Sequence, residues 1–241
     1  MQRQRPANAL LQHLSEDDYT AMADHLEIVH GSSDQVLYHP GDRVETAYFP
    51  CATTLVSFLV AVEDGRDLDT VLIGREGAVG GIIGRGFAPA YSRVVVRIEG
   101  PIVRLSLRRF YQAVLKSPSL REVFARYADC LLGQILQSTA CNATHSIEQR
   151  AAKWICATQE HIASDRVPLT HEQLAGLLGV ARSYASRIMQ SFKAAGIIET
   201  ARGQMLIRDR PALRMKSCLC NDSIRRHFEE ALPGIYPSSI D

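Results

Sequence analysis

No stretch of this 241-residue chain is apolar for long enough to span a bilayer. Its first residues, MQRQRPANALLQHL, lack the apolar core of a secretion signal. The expected setting is cytoplasmic, with no membrane contact. Cysteine is scarce and scattered: six residues, at 51, 130, 141, 156, 218 and 220, none forming Cys-x-x-Cys and none at zinc-finger spacing. That excludes a disulfide scaffold and leaves reduced, buried thiols as the expectation, with no metal site. Cys218 and Cys220 are the one close pair, and their role stays open. Catalytic signatures are missing too. The Gly-rich stretch 77–86 lacks the Lys-Ser/Thr ending of a phosphate-binding P-loop. No Ser-His-acid arrangement has a recognisable local context, and no two histidines stand four apart on a helix. No catalytic residue is assigned, and an enzyme is not expected.

What is present is enough apolar residue, 46%, to pack a core, and enough length for two modest domains or one large one. Net charge is only +1, but it is unevenly spread. Residues 147–216 carry 11 Lys/Arg against 6 Asp/Glu, a net of +5, whereas residues 1–146 carry 14 against 16. An excess of positive charge in one region is what binding to phosphate requires.

That region contains THEQLAGLLGVARSYASRIMQSFK, residues 170–193. Thr170 and Gln173 have the spacing of a capping box that starts a helix. Leu174, Ala175 and Leu178 share one face of it, and Gly179 stops it, because glycine turns there without steric cost. A second helix, from about Ala181 to Lys193, turns Ala185, Ile188 and Phe192 inward. Its other face presents Arg182, Ser183, Ser186, Arg187 and Gln190, and it contains no acid. This pattern predicts a helix-turn-helix whose second helix enters a DNA groove.

Before it, residues 8–29 read as helical, with Ser15 capping a second segment that carries Tyr19, Met22 and Leu26. Short strands are predicted at 36–38, 48–50, 54–62, 68–73, 93–98 and 102–107, punctuated by turns such as His39-Pro40-Gly41-Asp42. Many short strands with glycine turns predict an antiparallel barrel or jelly roll. A short helix at 109–116 precedes a long one from Ser119 to about Cys141. Phe124, Ala128, Leu131, Ile135 and Ser138 recur along it in steps of four and three, the seam of a dimer interface or of a helix packed on its own barrel; Leu132 and Leu136 widen the stripe, so that one edge can meet the barrel and the other a second subunit. Residues 146–161 predict the first helix of a C-terminal domain, and 197–207 a hairpin, or wing. A last helix starts at Asp209-Arg210-Pro211 and runs through Cys218. The remainder pairs with the body or trails, and Pro233-Gly234 and Pro237 predict an irregular end.

Barrel, long helix and winged helix, in that order, resemble the CRP/FNR family of bacterial transcription regulators over nearly the full length. The residues that carry the resemblance are the HPGD turn at 39–42, HSIEQRAAKWI at 145–155, LTHEQLAGLLGVARSYASRIMQSFKAAGII at 169–198 and the RGQMLI wing at 202–207. The implied fold class is α+β: a double-stranded β-helix, similar to cyclic-nucleotide-binding domains, over 1–117, a dimerisation helix over 118–145 and a winged helix-turn-helix over 146–241. The implied partners are double-stranded DNA and a second copy of the chain, with RNA polymerase a further candidate; the implied target is a palindromic operator.

By position in the family motif, Thr170 matches a phosphate-contacting cap. Arg182, Ser183 and Arg187 match the base-reading positions, the middle one often being Glu in the family. Arg202 on the wing is a phosphate candidate or simply solvated. His171 donates to phosphate or sits exposed. Tyr184 packs along the backbone of DNA or covers the helix flank, and Arg187 reads a base or pairs with an acid of its own domain. In cyclic-nucleotide-binding members, a Gly-Glu pair and an Arg-Ser pair hold the ribose and the phosphate. The matching residues here are Gly80, Gly81, Tyr91, Ser92 and Arg93, with Gly81 at the acid's place and Tyr91 at the arginine's. The expectation is therefore no cyclic AMP binding and no assigned cofactor, or a regulator gated by another small molecule such as a cyclic dinucleotide.

Overall fold

The structure, a computed structural model, describes residues 5–63, 65–82, 88–201 and 203–237. The chain begins with α1 (Ala9–His13), capped by Asn8, whose Oδ1 accepts from the Leu11 N–H at 3.0 Å. The other end of that buried amide donates to Pro50 O at 2.7 Å and Gly77 O at 2.9 Å, stitching α1 to two later segments. Ser15 then caps α2 (Glu16–Ala23). The helical reading of 8–29 overran here. The chain leaves the helix at Asp24 and becomes strand β1 (Glu27–Gly31). Leu26 sits at helical spacing from Met22, but the β-branched Ile28 and Val29 that follow suit a strand.

Six further strands complete two antiparallel sheets: β2 (Val36–Tyr38), β3 (Thr46–Pro50), β4 (Leu55–Ala61), β5 (Asp67–Ile73), β6 (Arg93–Ile98) and β7 (Gly100–Ser106). One sheet has the order β1-β7-β3, the other β2-β6-β4-β5. Alternation along the strands gives the second sheet two apolar faces. Val56, Val71, Ile73, Val94 and Val96 point into the barrel core, with Phe49, Ile102 and Leu105 from the first sheet. Leu55, Leu72 and Ile98 point the other way and join a second core, that of the C-terminal domain.

After α3 (Leu107–Lys116) comes α4 (Pro118–Thr144), capped by Ser117 and about 40 Å long at 1.5 Å per residue. The barrel lies along it. Phe124 packs edge-on against Phe110 and Phe49, with ring centroids 4.7 and 6.3 Å away. The Tyr127 hydroxyl donates to Ala78 O and accepts from the Ala78 N–H, at 2.8 and 2.9 Å. Gln134 Nε2 donates to Leu72 O at 3.0 Å. This corrects the predicted dimer seam. Phe124, Leu131 and Ser138 are buried within their own chain and Ala128 is half-buried, leaving Ile135 as the exposed member. The apolar stripe left open is Leu132, Ile135 and Leu136. The heptad rhythm marks a buried face, and that face was already taken by the barrel.

The C-terminal part contains α5 (Ile147–Ile162), β8 (Arg166–Val167), α6 (His171–Leu178), α7 (Arg182–Ala194), β9 (Ile198–Ala201), β10 (Gln204–Ile207) and α8 (Arg210–Lys216). The segment beyond, read as pairing with the body or trailing, forms α9 (Cys220–Ala231), which packs on α4, and the chain is irregular from Leu232 through Pro233-Gly234 to Pro237. Its Ile224 and Phe228, with Leu232, Ile235 and Tyr236 after it, enter the barrel's core. Among the described residues no helix is long and apolar enough to cross a membrane.

Candidate nucleic-acid interface

The helix-turn-helix is built as its local signals dictate. Thr170 Oγ1 accepts from the Gln173 N–H at 3.1 Å, and Gln173 Oε1 accepts from the Thr170 N–H at 2.9 Å, so the capping box at the start of α6 is complete. Gly179 takes φ +68° to end the helix, and the Val180 N–H then donates to Ala175 O at 3.1 Å, closing the turn. In α7, Ala185, Ile188, Met189 and Phe192 are buried. Arg182, Ser183, Tyr184, Arg187 and Gln190 are exposed, so the acid-free face is free to solvent as expected.

Within that face some side chains are already oriented. His171 Nδ1 lies 2.9 Å from Ser186 Oγ, a hydrogen bond that ties the start of α6 to the middle of α7. The Arg187 guanidinium stands 4.9 Å from the centroid of the Tyr184 ring, a cation–π contact that holds it along the helix flank. Arg187 has no carboxylate partner among the described residues, so the alternative of an ion pair within its own domain is not what is seen. Arg182 Nε is 3.7 Å from Glu172 Oε2, with both side chains nearly three-quarters exposed; a pair so solvated holds the arginine weakly. The wing is a three-stranded sheet, β8-β10-β9, in which Met205 faces Thr200 on one side and Val167 on the other. Arg202 lies outside the described residues. A hollow of about 270 Å³ separates the wing strands from Thr170, His171 and Arg182.

The same helix pair is also docked on the barrel. α6 lies against β5 so closely that a Cβ at Gly176 would come within 2.6 Å of Asp69 Oδ2. Arg66 Nη1 donates to Gly179 O at 3.5 Å. Thr170, Glu172 and Gln173 therefore open onto a cleft of about 480 Å³ whose far wall includes Arg66, Asp67, Asp69 and Arg97. Behind it, Glu76 of the barrel and His161 of α5 form a buried pair, Oε1 to Nε2 at 3.2 Å.

The nucleotide-pocket candidates do not converge. Tyr91 is 87% exposed, while Ser92 is buried. Arg93 is committed to an ion pair with Asp67 on β5. Gly80 and Gly81 both take positive φ, and the Gly81 carbonyl accepts from the Tyr111 hydroxyl at 2.5 Å. Residues 83–87, between these glycines and Tyr91, lie outside the described residues.

One grouping escaped the sequence reading. Cys141, His145, Cys218 and Cys220 come together where α4 ends, against the expectation of scattered thiols. The signal that was there to find is Cys141-x-x-x-His145, one helical turn apart, facing the close pair Cys218-x-Cys220.

Residues 149–215 match the family model of the Crp-like helix-turn-helix domain. No curated protein matches the sequence. Solved structures match over most of the chain. One is a transcriptional regulator of the CRP/FNR family from Eubacterium rectale, with TM-score 0.67 and 14% identity, covering 86% of this chain and 96% of that one. FixK2 from Bradyrhizobium japonicum gives TM-score 0.69 at 14% identity, covering 80% and 98%. The c-di-GMP responsive global regulator CLP from Xanthomonas campestris gives 0.67 at 16%, covering 81% and 100%. Residues 149–215 are thus a Crp-like helix-turn-helix domain, and the chain that carries them has the fold of the CRP/FNR transcription regulators.

Proposed function

We propose that this protein is a sequence-specific DNA-binding transcription regulator that acts as a homodimer on a two-fold operator. The observation that carries the reading is the exposed, acid-free face of α7, with Arg182, Ser183 and Arg187 turned to solvent in a chain region of net positive charge. Arginine suits the O6 and N7 acceptors of guanine, and serine in place of the family's frequent glutamate removes an acceptor for cytosine N4. Thr170 and His171 serve as phosphate contacts at the start of α6, where helix N–H groups point outward. The open stripe Leu132, Ile135 and Leu136 on α4 supports self-association. A gel-shift against genomic fragments tests the reading. A retarded band that survives excess competitor DNA is expected, and uniformly sequence-blind binding overturns it.

A second reading concerns the signal. The cleft of about 480 Å³ between β5 and α6, lined from both the barrel and the helix-turn-helix, supports gating by a small molecule bound between the two units. A simple cyclic AMP pocket is not favoured, because Arg93 is held by Asp67 and Tyr91 points away. Thermal-shift measurements with cyclic mononucleotides and cyclic dinucleotides separate the two. A rise in melting temperature with the dinucleotides alone supports the cleft, and a rise with cyclic AMP alone refutes it.

A further inference from the structure

Where α4 passes the chain to α5, four donor side chains converge from opposite ends of the DNA-binding unit. Cys141 lies on the last turn of α4, and His145 is its C-cap residue, one turn on and on the same face. Cys218 comes from the short link between α8 and α9, after the wing, and Cys220 is the first residue of α9. All four donor atoms lie within 4.8 Å of one another. Cys141 Sγ and Cys218 Sγ are 3.6 Å apart, and Cys220 Sγ and His145 Nδ1 are 3.6 Å apart. The three sulfurs are buried, and His145 is half-buried.

These separations have a chemical meaning. An ion with metal–sulfur bonds of about 2.3 Å in a tetrahedron holds its sulfurs about 3.8 Å apart. Two of the edges are already near that length. The space spanned accommodates one ion and not an iron–sulfur cluster, which must fit several irons and its own sulfides between the ligands. A disulfide between Cys141 and Cys218 accounts for two of the donors and leaves the convergence of Cys220 and His145 without a cause.

We propose that Cys141, His145, Cys218 and Cys220 form a binding site for a single tetrahedral divalent cation of the zinc class. Three thiolates and an imidazole are a donor set this borderline-soft ion selects. Four protein ligands leave no open position, so the site is structural. The surroundings fit the charge. Three thiolates around a divalent ion leave a net negative site, and the buried Lys153 stands in the field of those three sulfurs, with no carboxylate partner among the described residues. Gln137 Nε2 points its N–H at Cys220 Sγ at 3.3 Å, a hydrogen bond of the kind that orients a metal ligand. Because His145 is the joint between α4 and α5, the ion ties that joint to the start of α9 and so fixes how the DNA-binding unit hangs from the long helix.

The test uses the full chain, purified without added metal, washed with chelator and analysed for bound metal by mass spectrometry. One zinc per chain is expected. The metal-stripped protein titrated with Co²⁺ is expected to show the intense visible bands of a tetrahedral site together with thiolate-to-cobalt charge transfer. Cys218→Ser and His145→Ala are expected to lose both signals, and Cys51→Ser, far from the cluster, to keep them. Gln137→Ala, which removes no ligand, is expected to weaken Co²⁺ binding about 10–100-fold. Should a ligand variant fail to fold, thiol labelling of the unaltered protein decides: Cys141, Cys218 and Cys220 are expected to become reactive when the metal is withdrawn, while Cys51 and Cys130, buried in the barrel core, stay protected. The proposal is overturned by sub-stoichiometric zinc with only the weak spectrum of octahedral Co²⁺. It is also overturned by full metal content in Cys218→Ser, or by a Cys141–Cys218 disulfide in the protein as purified, before any metal is withdrawn.

Discussion

Glu76 and His161 form a buried ion pair between the N-terminal barrel and the DNA-binding unit, Oε1 to Nε2 at 3.2 Å, with the side chains 1% and 2% exposed. His161 Nδ1 is 2.6 Å from Ala157 O and donates to it, which leaves the second ring nitrogen to face the carboxylate. Glu76 Oε1 also accepts from the Gly74 N–H at 2.8 Å. Burial opposes both charges, yet each partner outweighs it: the imidazole holds the Glu76 carboxyl below its usual value, and the carboxylate holds His161 above its own. Tyr236 covers the pair edge-on, and the neighbouring Glu160 is engaged by Arg225 at 2.6 Å.

The pair sets a pH window. The Glu76 contribution is present above its unfolded value of 4.5 and is lost as pH falls through the lowered folded value. The His161 contribution is present below its unfolded value of 6.5 and is lost as pH rises through the raised folded value. Thermal unfolding between mildly acidic and alkaline pH is expected to show stability falling on the alkaline side, and His161→Phe to remove that fall. At mildly acidic pH the variant leaves Glu76 buried without its partner, at a cost of about 3–5 kcal/mol. The double change Glu76→Leu/His161→Phe is expected to recover much of this. An unchanged alkaline limb in His161→Phe would mean that another group titrates.

Arg182→Ala and Arg187→Ala are each expected to lose about 1–3 kcal/mol on cognate DNA and to relax preference at one base position. Binding titrations on a site and on its single-base variants measure this. Equal losses on random DNA would identify the two side chains as phosphate contacts. Tyr184→Ala frees the Arg187 guanidinium from its ring, and the same titrations are expected to show weaker discrimination with little change in salt dependence.

Replacing Leu132 and Leu136 together by Glu puts charge on the open stripe of α4 while touching nothing in the barrel core. Sedimentation is expected to report a monomer that melts close to the unaltered protein when both are dilute. Leu131→Glu, one residue away but buried at 4% exposure, is expected to unfold the chain instead. The contrast separates the two faces of one helix.

Phe228 on α9 is 1% exposed in the barrel's core, so Phe228→Ala is expected to cost about 3–5 kcal/mol and to lower the melting temperature. Calorimetry checks it. A change within noise would mean that α9 is an ornament on the sensor.

The winged helix-turn-helix was legible because its signals are local. Thr170 and Gln173 cap within one turn, Gly179 breaks, and the inward residues of α7 repeat at 3.6. The exposed face of α7 could be read for the same reason. What failed was partner choice. The stripe through Phe124, Leu131 and Ser138 reports burial, and the rhythm of a helix does not say whether its own barrel or another copy covers it. α9 reads as polar because only Ile224 and Phe228 anchor it, and their partner lies on α4, beyond the reach of local pattern. β1 was absorbed into a helix because Leu26 continues the helical spacing by one more residue. The cysteine and histidine cluster joins positions 141 and 218, which only the return of the chain over α4 brings together.

That return has a consequence for how the molecule is made. The core shared by the barrel and α4 is completed by residues that follow the whole DNA-binding unit in the sequence, so it is closed only once α9 has docked on α4. A fragment ending after α4 therefore lacks the cover that α9 gives that helix, and the chain cannot be divided into a separate barrel and a separate helix-turn-helix without exposing the surface that α9 buries.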